Sequence, residues 1–296
     1  GFLRGLATTA LVAAPTGARA QPDRWGASQG YPTGWAGGFS QNTAYRVGNY
    51  SGGYESMVRV RRLSPGRSVA SLEPATADLR YRSGASWATP EQYLASWPVT
   101  GLLIARRGAI WHESYRHART PAMRFTSWSM AKSVTSLLLG ICMDRKLLDS
   151  LDDTAERYVP TLKGTVHGGC TLRNLANMCS GAGIDHDRDN AAVIYPRALI
   201  DRDSSVRRTV AGWSKRREEQ GRTFRYNELC ALTIGMVIRQ VTGKSLSEFA
   251  QEALWNPMGA EAEATWMVDS EQCEFNCIGF AAQPRPIPQP GGEADA

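Results

Sequence analysis

The 296-residue chain is predicted to be α+β, on three observations. A short apolar hairpin lies near residue 100. A long, mostly helical middle follows it. A second pair of short strands is expected before the C-terminal end. Hydrophobic residues make up 42% and charged residues 21% of the sequence, so a sizeable core is available. The net charge of +6 comes from scattered arginines and no nucleic-acid recognition motif accompanies it, so it is read as a solvated basic surface and no nucleic-acid partner is expected.

Residues 1–20 read as an export signal. Arg4 gives a positive flank and Leu6 to Ala14 a short apolar stretch. Ala18-Arg19-Ala20 supplies small residues at the cleavage positions before Gln21. The stretch is too short to span a bilayer, so the mature protein is expected to be periplasmic or secreted, without membrane insertion. An N-terminal arm covers residues 21–97. Up to about Arg67 it is rich in Gly, Pro, Trp and Tyr and lacks helical periodicity. Near its end Pro90 to Ser96 is a candidate helix, with Thr89 as cap and Pro90 at the first helical position.

The hairpin runs as strand Gly101 to Ala105, turn Arg106-Arg107-Gly108 and return strand Ala109 to Tyr115. A helix is predicted from about Ser129 to Lys146 on the spacing of Val134, Leu137, Leu138 and Ile141. Leu151 to Tyr158 is acidic and then apolar. Thr171 to Met178 reads as a short helix capped by Thr171, and Asp185 to Arg208 as a polar loop. Leu229 to Val241 is helical and stopped by Gly243; Ser247 to Leu254 is helical and stopped by Asn256-Pro257. The closing strands are expected at Ala264 to Val268 and Asn276 to Phe280. The Pro/Gly-rich segment 283–296 reads as a disordered tail.

Of the six cysteines, Cys142 and Cys230 fall in apolar helical patterns and read as core. Pairings Cys170/Cys179 and Cys273/Cys277 are left open. The histidines His112, His117, His167 and His186 have no ligand spacing, and no metal or organic cofactor is expected.

The residues with chemistry begin at Ser129-Met130-Ala131-Lys132. Three residues along a helix bring two side chains to one face. At a helix N-terminus the free N–H groups favour an alkoxide on Ser129. The same field, with burial, is expected to disfavour a protonated Lys132, leaving a neutral amine to take the serine proton. This spacing arises by chance roughly once in a chain of this length, as an N-cap serine and a surface lysine. Here it opens the most apolar helix, and a lysine in a first turn opposes the helix dipole. Tyr226, in Phe224-Arg225-Tyr226-Asn227 just before another helix, is a candidate proton shuttle; a core tyrosine bonded to backbone is the commoner fate. The motif Gly26-Ala27-Ser28-Gln29-Gly30 matches a nucleophile elbow, but it lacks the flanking strand and helix such an elbow needs and is set aside.

Several blocks in order, TGLLIARRGAIWHESY, SWSMAKSVTSLLLGICMDRKLLDSLDD, YVPTLKG, TLRNLANMCSGAG and FRYNELCALTIGMVIRQVTGKSLSEFAQEALWNPMG, resemble the serine β-lactamase and penicillin-binding-protein superfamily. Within it they are most similar to the class C-like branch, with family VIII esterases and 6-aminohexanoate-dimer hydrolases. YRVGNY is similar to the N-terminal extension of the nylon-oligomer-hydrolase branch. The resemblance implies a β-lactamase/transpeptidase-like fold: a helical domain (151–257) set into an α/β domain with an antiparallel sheet (98–150 and 258–282). It implies Ser129 as acylated nucleophile, Lys132 as its base and Tyr226 as general acid/base. The Ser129 backbone N–H would be half of an oxyanion hole. The implied partner is a small amide or ester substrate of the β-lactam, carboxylic ester or 6-aminohexanoate oligomer type. Two departures accompany the resemblance. Glu228 replaces the hydrogen-bonding third position of the motif that starts at Tyr226. No Lys-Thr-Gly or His-x-Gly follows Tyr226, so the sheet is expected to be incomplete and the reading frame truncated. A D,D-peptidase, or a degenerate non-catalytic ligand-binding member, is the alternative.

Overall fold

The computed structural model describes residues 55, 58–66, 68–69, 72–75, 78–97, 99–116 and 119–284. The export signal, the Ser28 motif, most of the arm and nearly all of the tail lie outside them. The hairpin is formed by β5 (Gly101–Arg106) and β6 (Ala109–Tyr115). Its turn is the pair Arg107-Gly108, both at positive φ, which matches the twist of two antiparallel strands. A two-residue strand, β2 (Glu73–Pro74), pairs parallel to β6. β3 (Tyr81–Ser83) and β4 (Ser86–Ala88) form a separate small ribbon. It leads into α1 (Pro90–Ser96), which carries the expected Thr89 cap as a full capping box with Gln92.

A second sheet has the order β1-β8-β9-β7 and is antiparallel throughout, with β1 at Val60–Leu63, β7 at Phe125–Thr126, β8 at Ala264–Met267 and β9 at Phe280–Ala282. β1 falls within the segment read as irregular arm. Its four residues are too few for an alternation to show, and pairing with the fully buried β8 is what makes them a strand. β9 begins at Phe280, whereas the strand was expected over 276–280. Residues 276–278 form a turn because their polar groups are claimed by helices: Asn276 O accepts from Thr135 Oγ1 (3.2 Å) and Cys277 O from Lys132 Nζ (3.0 Å).

The helical middle is built on α2 (Ala131–Asp144), preceded by a 3₁₀ turn at Trp128–Met130. Its buried stripe is Ala131, Thr135, Leu138, Leu139 and Cys142, the i, i+4, i+7, i+8 face of one helix. Leu137, one of the apolar positions whose spacing predicted the helix, lies off that stripe and is exposed. α3 (Ala155–Tyr158) and α4 (Leu172–Ala176) follow, α4 capped by Thr171 as expected. The segment 185–208 is not a loop. It holds α5 (His186–Asp189), two wide turns (Asn190–Ile194 and Pro196–Ile200) and the start of α6 (Val206–Ala211). Asp185 and Ser205 cap α5 and α6, and Ile194, Ala198 and Leu199 are buried. Packing therefore overrides a polar local composition.

α7 (Glu228–Thr242) packs on α2 at the centre of the molecule and is buried on every side from Glu228 to Ile238. A helix apolar all round belongs inside a core. Gly243 ends it in the left-handed conformation (φ 66°) that L side chains disfavour. α8 (Leu246–Ala250) and a wide turn at Gln251–Trp255 follow. All six cysteines are free thiols, so neither pairing left open is formed, and Cys142 and Cys230 are core. Among the described residues no helix is long and apolar enough to cross a membrane.

Candidate active site

Ser129 is carried on the 3₁₀ turn that feeds α2, and Lys132 occupies the first turn of that helix. Trp128, immediately before the serine, has φ 45°, a conformation a bulky residue adopts only where its surroundings impose it. Ser127 N donates to Phe280 O (2.8 Å), which ties this turn to β9. Ser129 is exposed, while the Lys132 side chain is only 10% accessible. Lys132 Nζ lies 3.1 Å from Ser129 Oγ, 3.0 Å from Cys277 O and 3.3 Å from Glu228 Oε1. Three acceptors around one amine match the three protons of an ammonium ion.

Tyr226 and Glu228 reach the same place from the entry of α7. Asn227 between them is the helix N-cap: its Oδ1 accepts from Cys230 N (3.1 Å) and its Nδ2 donates to Arg225 O (2.9 Å). With Asn227 turned inward as a cap, its neighbours are aimed at α2. Lys132 Nζ sits 4.8 Å from the centre of the Tyr226 ring. Glu228 is 1% exposed. The first turn of a helix favours its negative charge. Glu228 Oε1 also accepts from Tyr195 Oη (3.4 Å), and its other oxygen, Oε2, faces His186 Nε2 (3.6 Å). His186 also packs on Tyr226, with ring centres 5.3 Å apart, and its Nδ1 lies 3.0 Å from Asp187 Oδ1.

The electrostatics revise the expectation for Lys132. Burial pulls its pKa down, but the Cys277 sulfur, the Glu228 carboxylate and the Tyr226 hydroxyl act the other way, and the net direction is up. Burial also pushes the Cys277 thiol well above its ordinary range, so that sulfur is neutral near pH 7 and Glu228 is the charge that counts. Burial pushes Glu228 toward protonation, yet the His186 imidazole 3.6 Å away and the charge of Lys132 hold its carboxyl below the ordinary value. His186 is raised to about 9, first by the Glu228 carboxylate facing it and then by Asp187. At neutral pH the cluster is an ammonium, a carboxylate and an imidazolium in series.

Thus all three residues singled out in the sequence come together, and two that were not, Glu228 and His186, join them. Glu228 drew attention only as a departure at the third position of the motif that starts at Tyr226. His186 gave no signal, because its segment read as a polar loop. His186 also lines a cleft of about 690 Å³ with Asp185, Arg188, Lys215 and Arg225. A groove of about 730 Å³ elsewhere shares no residue with the site, and its Arg208, Arg239 and Lys244 are engaged by Glu271, Glu274 and Glu252.

Residues 88–274 match the family model described as Beta-lactamase. The chain is 26% identical over 256 residues to the 6-aminohexanoate-dimer hydrolase of Paenarthrobacter ureafaciens, covering 80% of this chain and 63% of that protein. Among solved structures it is similar to a Bacillus anthracis protein provisionally named 6-aminohexanoate-dimer hydrolase (TM-score 0.69, 22% identity), over 79% of this chain and 65% of that one. It is also similar to a class C beta lactamase from Rhodobacter sphaeroides (TM-score 0.50, 19% identity), over 66% and 61% of the two chains. The chain therefore spans somewhat under two thirds of the length of these relatives. The fold expectation holds: the architecture is β-lactamase/transpeptidase-like, with small and incomplete sheets.

Proposed function

The chain belongs to the beta-lactamase family, and from that premise we propose that it is a serine hydrolase cleaving an amide or ester bond through an acyl-enzyme on Ser129. The observation that carries this reading is the 3.1 Å approach of Lys132 Nζ to Ser129 Oγ, beneath the ring of Tyr226. The Ser129 proton passes to Lys132 when that amine is neutral, while Oγ forms the bond to the substrate carbonyl carbon. The Ser129 backbone N–H, close to the start of α2, is one donor to the resulting oxyanion. Tyr226, within reach of the same amine, returns the proton to the departing amine or alcohol. Water then attacks the ester on Ser129, and its proton follows the reverse path. The similarity to the Paenarthrobacter enzyme supports 6-aminohexanoate oligomers as one substrate type, beside β-lactams and simple carboxylic esters.

The test is hydrolysis of a linear 6-aminohexanoate dimer, nitrocefin and p-nitrophenyl butyrate by the parent and by Ser129→Ala. Turnover of at least one substrate, lost in the variant, is the expected result. Equal rates in the two proteins overturn the proposal.

A further inference from the structure

Lys132 is positioned in the resting site as the proton donor of three contacts, an awkward state for a base. Its protonation is set by the groups around it. From its own side it faces Ser129, from α7 and its entry Glu228 and Tyr226, and from the turn before β9 Cys277. Glu228 is in turn faced by Tyr195 and, from α5, by His186. Glu228 Oε2 and His186 Nε2 are both shielded from solvent. Neither has a hydrogen-bond partner, and they point at each other across 3.6 Å. The far edge of the imidazole meets Asp187, and the cleft it borders carries Arg188, Lys215 and Arg225. Arg188 is held by Asp189 (3.1 Å) and Arg225 by Glu218 (3.1 Å).

We propose that Glu228 and His186 are positioning residues for the Ser129–Lys132 pair: Glu228 anchors the lysine amine beside the serine, and a protonated His186 behind Glu228 offsets the carboxylate so that the lysine can release its proton. This rests on the reading of Ser129 and Lys132 given above. Two charge effects of opposite sign follow. The carboxylate alone makes the lysine proton harder to lose. The imidazolium, carrying the same sign as the ammonium and drawing on the same carboxylate, makes it easier to lose. No group is oxidised or reduced, and the only atom that moves is the proton between Ser129 Oγ and Lys132 Nζ.

The experiment is the rate of Ser129 labelling by a fluorophosphonate between pH 6 and 10, in the parent, in Glu228→Gln and in His186→Gln. Gln keeps the size of Glu228 and an acceptor for Lys132, so position is preserved while charge is lost. In Glu228→Gln the rising limb of the profile is expected to move to lower pH by about one unit or more. In His186→Gln the rate is expected to fall about threefold or more at pH 7 and to rejoin the parent above about pH 9, where the parent imidazole is itself neutral. Variants whose rates change by one constant factor at every pH, or that retain the parent profile, overturn the inference and leave the hydrolase reading standing. Should Glu228→Gln fail to fold by circular dichroism, the half-exposed His186 variant decides alone. A parent unlabelled at every pH overturns the hydrolase reading and this inference with it.

Discussion

At the scale of single residues, the site depends on one amine having two lives. Lys132 rests as an ammonium with three acceptors, yet it has to meet the serine hydroxyl as a neutral base. Replacement by Arg keeps the charge but not the ability to lose a proton near neutral pH. Lys132→Arg is therefore expected to label with a fluorophosphonate about 10²-fold to 10⁴-fold more slowly than the parent, the range of a lost general base. A rate within a few-fold of the parent counts against Lys132 as base. The pairing of Ser129 with Lys132 was legible in the sequence because three residues of helix fix it locally. The direction of the lysine pKa was not legible, since it turns on Glu228, 96 positions away. A helix field and burial were the only influences the local sequence could supply, and both point the other way.

At the scale of elements, the site is the seam where α2, α7 and the turn before β9 meet, and Asn276 fastens it. Its buried Nδ2 donates to Ala231 O of α7 (2.7 Å) and to Thr135 Oγ1 of α2 (3.1 Å), one residue before the Cys277 carbonyl that holds Lys132. Gly235 leaves room for it: a Cβ there would come within 2.5 Å of Asn276 Oδ1, and that side chain is wedged. Gly235→Ala is expected to cost about 1–3 kcal/mol in urea unfolding, the range for overpacking a tight core. It should also slow labelling of Ser129 through the displaced Cys277 carbonyl. An unchanged midpoint would show that the seam yields freely. A second clasp is Glu274, 2% exposed, which meets Arg239 of α7 (2.7 Å), Arg61 of β1 (3.3 Å) and Ser247 N of α8 (3.1 Å). Glu274→Ala leaves two arginines without their shared anion and is expected to cost about 3 kcal/mol by the same measurement, against near zero if the pair is solvent-compensated. The hairpin, the Thr89 and Thr171 caps and the Gly243 stop were legible because turn and cap chemistry is local. β1 and the turn at 276–278 were not, because long-range partners create them. Helical turns over 185–208 were masked by a polar composition that buried Ile194, Ala198 and Leu199 override.

At the scale of the whole molecule, two histidines set the pH range of stability from opposite sides. His167 is fully buried, and burial lowers its pKa to about 4 from an ordinary 6.5. The unfolded chain then binds the extra proton between those values, so stability rises with pH from about 4 to 6.5, by about 3 kcal/mol in all. His186 is raised to about 9, so its contribution is full below about 6.5 and is lost as pH climbs toward 9. That loss is smaller, because the side chain is 42% exposed and water screens its partners. Melting temperature is therefore expected to peak near pH 6.5. His167→Leu should flatten the acid side of the curve and His186→Gln the alkaline side, and a parent curve without either slope counts against these assignments. The α+β class was visible in the order of hairpin, helices and closing strands, and the ordered blocks around Ser129 carried the family. The roles proposed for Lys132, Tyr226, Glu228 and His186 all depend on Ser129 being the nucleophile. Peptide mass spectrometry after fluorophosphonate treatment tests that most directly, because trypsin releases Phe125 to Lys132 as one fragment containing both Ser127 and Ser129. A single adduct on Ser129, absent from Ser129→Ala, is the expected result. An adduct on Ser127, one that persists in Ser129→Ala, or no adduct in the parent would contradict it.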